Sequence, residues 1–130
     1  MNLKQIKTVP DPYEPYLLSQ AIQVGQLVFV SGQAGVGDSG RIEKGFDAQA
    51  DQAFRNLDRA LEAAGSSLRQ VAKVTIFLTS MENFPKIVEL RRKWFSAPYP
   101  ADTIVEVSAL YSPEAMIEIE AIAVASESQS

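Results

Sequence analysis

A chain of 130 residues with 46% hydrophobic and 22% charged side chains has the make-up of one ordinary globular domain, neither disordered nor fibrous, and can bury a core without metals or disulfides. Its 12 Lys and Arg against 16 Asp and Glu give a net charge of −4, which argues against a surface built to hold a phosphate backbone, so nucleic acid is not an expected partner. With 0 Cys and 0 His, the chain has no thiol nucleophile, disulfide, Cys/His zinc site, imidazole base or Ser-His-Asp triad, and acid–base chemistry falls to Asp, Glu, Tyr, Lys or ordered water. No apolar run approaches the roughly 18 residues of a spanning helix, and Met1 to Gln5 lacks a signal-peptide core; the expectation is a cytoplasmic protein away from membranes.

Along the chain, Leu3 to Val9 reads as a weak edge strand. Pro10, Pro12 and Pro15 then forbid a helix and give an extended loop that carries Tyr13 and Tyr16, more aromatic content than a spacer needs. Leu17 to Val24 and Leu27 to Ser31 read as two strands of a hairpin turned at Gly25-Gln26. Gly32 to Gly45 holds five of the seven glycines and reads as a loop, with a short hairpin at Asp38-Ser39-Gly40.

Phe46 to Ala64 predicts a helix capped by Asp47, with Ala50, Ala53, Phe54, Leu57, Leu61 and Ala64 on one stripe and Gly65 as its stop. Val71 to Thr79 is a buried strand. A second helix starts from Asn83 as cap and runs to about Ser96, turning Phe84, Ile87, Val88, Trp94 and Phe95 inward. Pro98 and Pro100 bracket a turn, Thr103 to Leu110 and Met116 to Ala125 are strands, and Ser126 to Ser130 is a polar, frayed tail. The order β-ββ-α-β-α-ββ predicts one α+β domain of two layers over residues 1–130, with both helices on one face of the sheet.

Gly35-Val36-Gly37-Asp38-Ser39-Gly40 fits a dinucleotide-binding pattern, but no helix opens directly after it, so it is a loop. Arg91-Arg92-Lys93 reads as a solvated helix face. In Ile117-Glu118-Ile119-Glu120-Ala121-Ile122-Ala123-Val124 the two carboxylates share a face with Ile122 and Val124, and Glu106 interrupts an apolar strand likewise. Carboxylates among apolar neighbours are either rim groups or, with raised pKa values, general acids and bases. Tyr16 and Ser31-Gly32 stand at strand ends, where a hydroxyl and an uncovered backbone either shape a turn or bind a small ligand.

Glu14-Pro15-Tyr16, Val28-Phe29-Val30-Ser31-Gly32-Gln33, Gln52 to Leu57, Val74 to Leu78, Val105-Glu106-Val107 and Ile117 to Ala123 together resemble the RidA family, also called YjgF or L-PSP, over nearly the whole chain. The resemblance implies a chorismate-mutase-like fold and a homotrimer whose sheets close into a central barrel, with small-molecule clefts between subunits. It also implies hydrolysis of imines and enamines such as 2-aminoacrylate to a keto acid and ammonia, with no metal or other cofactor. Carried over to this chain, the cleft residues are Tyr16, Ser31, Gly32 and Glu118, the last positioning water.

One departure bears on the substrate. Deaminases of the family carry Pro-Ala-Arg before Val-Glu-Val, and that Arg binds the substrate carboxylate; this chain reads Pro100-Ala101-Asp102-Thr103-Ile104, with Ile104 where Cys is common. An Asp there repels a carboxylate by roughly 4 kcal/mol at ~4 Å and an effective dielectric near 20, before screening. The expectation is therefore hydrolysis of an imine other than 2-aminoacrylate, neutral or cationic near Asp102, unless another cation enters the cleft. Glu118, Asp102 and Tyr16 are then the catalytic candidates, and Ser31, Gly32 and Ile104 the substrate-binding ones. A binding or regulatory trimer without turnover is the alternative, and ribonuclease activity suits an acidic chain without His least.

Overall fold

The computed structural model describes residues 2–126; Glu127 to Ser130 of the expected tail lie outside them. Six strands form one mixed sheet. In chain order the elements are β1 (Leu3–Ile6), β2 (Ala21–Val24), β3 (Leu27–Ala34), α1 (Phe46–Ala63), β4 (Val71–Leu78), α2 (Phe84–Trp94), β5 (Ala101–Glu106) and β6 (Ile117–Val124). The sheet order is β1-β2-β3-β6-β4-β5, with only β4 and β5 parallel. The last strand thus inserts between the third and fourth, and each helix links two strands that run the same way. This is the expected α+β arrangement of two layers.

Alternation along β6 divides the two faces. Ile117, Ile119, Ala121 and Ala123 are buried, while Glu118, Glu120, Ile122 and Val124 point to the other side. The buried set meets Val28, Val30, Val74 and Ile76 of the neighbouring strands beneath both helices. Phe54 of α1 anchors that layer, stacked on Trp94 at 5.5 Å and edge-on to Phe95 at 5.6 Å. The opposite face has no helix over it, so Leu27, Phe29 and Val124 stay exposed.

Several expected boundaries move. Glu14–Tyr16 forms one turn of 3₁₀ helix with Pro15 inside it, because proline is excluded only where a helix needs its N–H. β2 starts at Ala21 rather than Leu17, and β3 runs through Gly32 to Ala34. The cap of α1 is Gly45, at φ 85°, and Asp47 sits in the first turn, paired with Lys86. Asn83 precedes α2 without a side-chain capping bond; Ser80 instead accepts the N–H of Glu82 in the 3₁₀ turn before it. Phe84 and Val88, expected inside, are 41% and 44% exposed. They lie one turn apart on the outer side, while Ile87, Leu90, Arg91 and Trp94 make the inner stripe, so Arg91 does not share a solvated face with Arg92 and Lys93. β5 begins at Ala101 and ends at Glu106. Gly65 ends α1 as expected, at φ 73°, with Ser66 N–H donating to Leu61 O at 2.8 Å and Gly65 N–H to Glu62 O at 3.0 Å. No helix among the described residues is long and apolar enough to cross a membrane.

Gly35 sets how closely α1 lies on β3. A Cβ at residue 35 would stand 2.5 Å from Gln49 Cα and 2.6 Å from its carbonyl oxygen, atoms the helix cannot move aside. Gly35→Ala is expected to cost about 1–3 kcal/mol of unfolding free energy. Urea titration checks this, and an unchanged midpoint would refute the close approach.

Candidate active site

The site grows from an irregularity in β3. β3 and β6 pair from Leu27↔Val124 to Val30↔Ala121 and resume at Gln33↔Ile119. Three steps on β3 thus span two on β6, a bulge at Ser31-Gly32 opposite Glu120. Its polar atoms are held from several sides. The Ser31 hydroxyl donates to Ser19 O at 2.7 Å, and the Ser31 N–H donates to Gln20 O at 3.0 Å. The Gln33 amide donates to Ser31 O at 2.8 Å, and the Tyr13 hydroxyl donates to Gly32 O at 2.9 Å.

Glu118 comes up from β6 against this bulge. A Cβ on Gly32 would fall 2.5 Å from Glu118 Oε2 and 2.7 Å from Cδ, so the carboxylate occupies space that only glycine leaves open. Burial, and secondarily the charge of Glu120, raise the Glu118 pKa above the ordinary glutamate range, and no side-chain hydrogen bond offsets them. Burial also raises the Tyr111 hydroxyl, with Glu118, Tyr16 and Glu114 adding to it. Burial raises Tyr13 well above the usual phenol range, and Glu118 contributes there too. Glu118 is thus within electrostatic reach of the Tyr13 and Tyr111 hydroxyls, and Tyr16 within reach of Tyr111, along one rim. Tyr16, at 76% exposed, is its most open member.

Beside this rim, Phe29, Lys73, Thr75, Glu120 and Ile122 line a shallow hollow of about 290 Å³ on the open face of the sheet. A larger hollow of about 650 Å³ lies between α1 and α2 and is unrelated to Glu118; Lys86–Asp47 at 2.9 Å and Lys93–Asp51 at 2.7 Å bridge its walls. No group of three or more metal-ligating side chains occurs among the described residues.

Of the expected site residues, Ser31, Gly32 and Glu118 meet at the bulge, and Tyr16 ends the 3₁₀ turn that follows Tyr13, the residue bonded to Gly32 O. Asp102 and Ile104 do not join them within one chain. In register they pair with Val74 and Ile76, whose side chains lie under the helices, so both face the layer opposite Glu118. Ile104 packs against the core. Asp102 receives the Arg91 Nε–H on Oδ2 at 2.8 Å, its side chain is 16% exposed, and its Oδ1 is buried with no partner. The repulsive carboxylate expected at residue 102 is thus turned inward and matched by a cation from α2. It is not placed to share acid–base work with Glu118 in the same chain.

Two residues that support the site went unread in the sequence. Gln49, buried on α1, donates to Glu114 O at 2.9 Å and accepts Met116 N–H at 2.8 Å, fixing the segment that carries Tyr111 into β6. A polar residue on an otherwise apolar stripe was the available sign. Tyr13, noted only as half of a tyrosine pair, closes over Gly32.

Residues 6–125 match the endoribonuclease L-PSP family. The chain belongs to it. Among curated relatives, the 2-iminobutanoate/2-iminopropanoate deaminase of Dermatophagoides farinae is 38% identical over 117 residues, covering 88% of this chain and 89% of the relative. A protein of the same name from Mus musculus is 36% identical over 123 residues, covering 93% and 90%. Among solved structures, RidA from the Antarctic bacterium Psychrobacter superposes with a TM-score of 0.87 at 38% identity, over 93% of this chain and 98% of that one.

The contact at Gly32 falls on the flexible end of a side chain, so Gly32→Ala should keep the fold and displace Glu118 instead. The expected result is a stability change within about 1 kcal/mol and a Glu118 titration, followed by its carboxyl carbon shift in NMR, that moves down toward an ordinary glutamate. A titration identical to the parent's would show that Gly32 is not its seat.

Proposed function

We propose that this chain hydrolyses an imine or enamine to a carbonyl compound and ammonia, without a metal or other cofactor, in clefts between the subunits of a homotrimer. The substrate is one other than 2-aminoacrylate. The observation that carries the reading is the carboxylate of Glu118, half-buried on Gly32 with its pKa raised. The deaminase names of the mite and mouse relatives support it.

The chemistry asks little of the protein. A protonated imine is already electrophilic, and an enamine becomes one on protonation at carbon. Water adds to the C=N carbon while Glu118 takes its proton; Glu118 returns that proton to the carbinolamine nitrogen, the C–N bond breaks, and the hydroxyl proton passes back to Glu118 as the carbonyl forms and ammonia leaves. Glu118 is the base and the returning acid, and a pKa nearer neutrality than that of free glutamate suits it to both. Tyr13, its hydroxyl committed to Gly32 O, supplies part of the wall, and the hydroxyls of Tyr16 and Tyr111 supply donors.

Two features support assembly. The helix-free face exposes Leu27, Phe29 and Val124, and it continues through half-buried Phe77, Val105 and Ile122. Glu118 and residue 102 lie on opposite faces of the sheet, so only different copies can bring them to one ligand. The departure at residue 102 supports a substrate other than 2-aminoacrylate: Arg91 and Asp102 sum to no net charge, and such a pair attracts a small carboxylate less than a lone guanidinium does.

Replacing Glu118 by Gln keeps the size and removes the base. Ammonia release from a panel of imines is expected to fall about 10²- to 10⁴-fold. Because the folded-state pKa is raised, the stabilisation from protonating Glu118 is present below the unfolded-state pKa and lost as pH rises through the folded one. At neutral pH the charge is therefore a burden, and Glu118→Gln should not lower the melting temperature. In the parent, activity needs the carboxylate and should decline on acidification at a pH above the ordinary glutamate range. Unaltered ammonia release in the variant would exclude Glu118 as the base.

A further inference from the structure

We infer that Arg91 of α2, held in place by Asp102, receives the anionic end of the ligand, in place of an arginine on the strand. The inference takes its setting from the imine-hydrolase reading and deepens it: the substrate class becomes a carboxylate-bearing imine larger than 2-aminoacrylate.

Arg91 lies on the inner stripe of α2, between Ile87 and Trp94, where a helix normally buries apolar side chains. Its side chain is 27% exposed and that of Asp102 is 16%; in each of the other five ion pairs at least one partner is half exposed or more. The contact uses one edge of the guanidinium: Nε donates to Oδ2 at 2.8 Å, and no other described residue accepts from the Arg91 side chain. The two Nη groups, which form the fork suited to a carboxylate, are left over. Asp102 Oδ1 is fully covered. What this position offers to a ligand is therefore the cation and not the anion, although the sequence taken alone places an acid there.

The other basic residues of α2 are committed to carboxylates: Lys86 to Asp47, Arg92 to Glu89 and Lys93 to Asp51. Asp102 acts as a positioning residue that aims the guanidinium and, lying behind it, weakens its pull. A weakened pull leaves part of the binding to the rest of the ligand, which favours a longer carbon chain. Arg91 and Glu118 lie on opposite faces of one sheet, so a ligand that meets both touches two copies of the chain.

The test uses the full chain and two matched imines generated in place by an amino-acid oxidase or from the amide, 2-iminobutanoate and its neutral carboxamide. The parent should show the lower KM for the acid. Arg91→Gln combined with Asp102→Asn removes both charges without stranding a buried carboxylate; it should raise KM for the acid about tenfold or more, leave kcat in place and leave the amide unaffected. Asp102→Asn alone unmasks the guanidinium and should lower KM for the acid. Equal KM values for acid and amide in the parent, or equal shifts for both in the double variant, overturn the inference.

A binding arm separates it from the reading beneath it. NMR titration with 2-oxobutanoate should show binding by the parent and by Glu118→Gln, and loss in the double variant. That pattern upholds Arg91 even where no imine is turned over. Absence of 2-oxobutanoate binding to the parent at millimolar concentration overturns it even where imines are hydrolysed.

Discussion

A strand shows its side chains alternately to one face and the other, and in this molecule that alternation decides which charged groups can meet. Glu118 falls on the helix-free face because its neighbours Ile117 and Ile119 are needed in the core. Asp102 falls on the helix face because the parallel pairing of β5 with β4 sets it beside Val74. Neither placement can slip by one residue without turning a row of apolar side chains out of the core. The alternation is broken between Val71 and Lys73 at the start of β4 and again at the Ser31-Gly32 bulge, and the second break lies where Glu118 needs room.

The two faces manage charge in opposite ways. On the helix layer, acids and bases are matched in pairs, most of them exposed, and such pairs contribute little to stability. On the open face, Glu118 stands close to Glu120 and gains no cation from the described residues. A carboxylate left partly out of water beside another carboxylate destabilises the fold, a cost that bears on the role proposed for Glu118. The surrounding bonds make the cost tolerable: Tyr13, Ser31 and Gln33 satisfy the backbone of the bulge, so the strain of the site is confined to one side chain.

Much of this was readable in the residues. The element order, the hairpin at Gly25-Gln26, the stop at Gly65 and the shared face of Glu118 and Glu120 all follow from local rules of turns, caps and alternation. What local rules missed depended on partners distant in sequence. β3 reads as ending at Ser31 because Gly32 looks like a breaker, but pairing with β6 carries the strand across the bulge. Phe84 and Val88 read as core because they are apolar, and only the packing of Ile87 and Trp94 against the sheet and Phe54 fixes which stripe faces in. Tyr13 and Gln49 owe their roles to contacts 19 and 65 residues away.

Arg91-Arg92-Lys93 shows most clearly how a run of like residues misleads. Successive positions on a helix point about 100° apart, so three adjacent cations cannot share one environment. Arg92 finds Glu89 on its own helix, Lys93 reaches Asp51 of α1, and Arg91 turns under to β5. The acid at residue 102 and the base at residue 91 therefore have to be read together, because each makes the other's burial affordable. Taken singly, Asp102 reverses the sign of a pocket. Taken with Arg91, it is one half of an ion pair whose cation comes from a helix and binds Asp102 through Nε alone. On the reading proposed for Arg91, substrate preference is set by the buried partner as much as by the group the ligand touches.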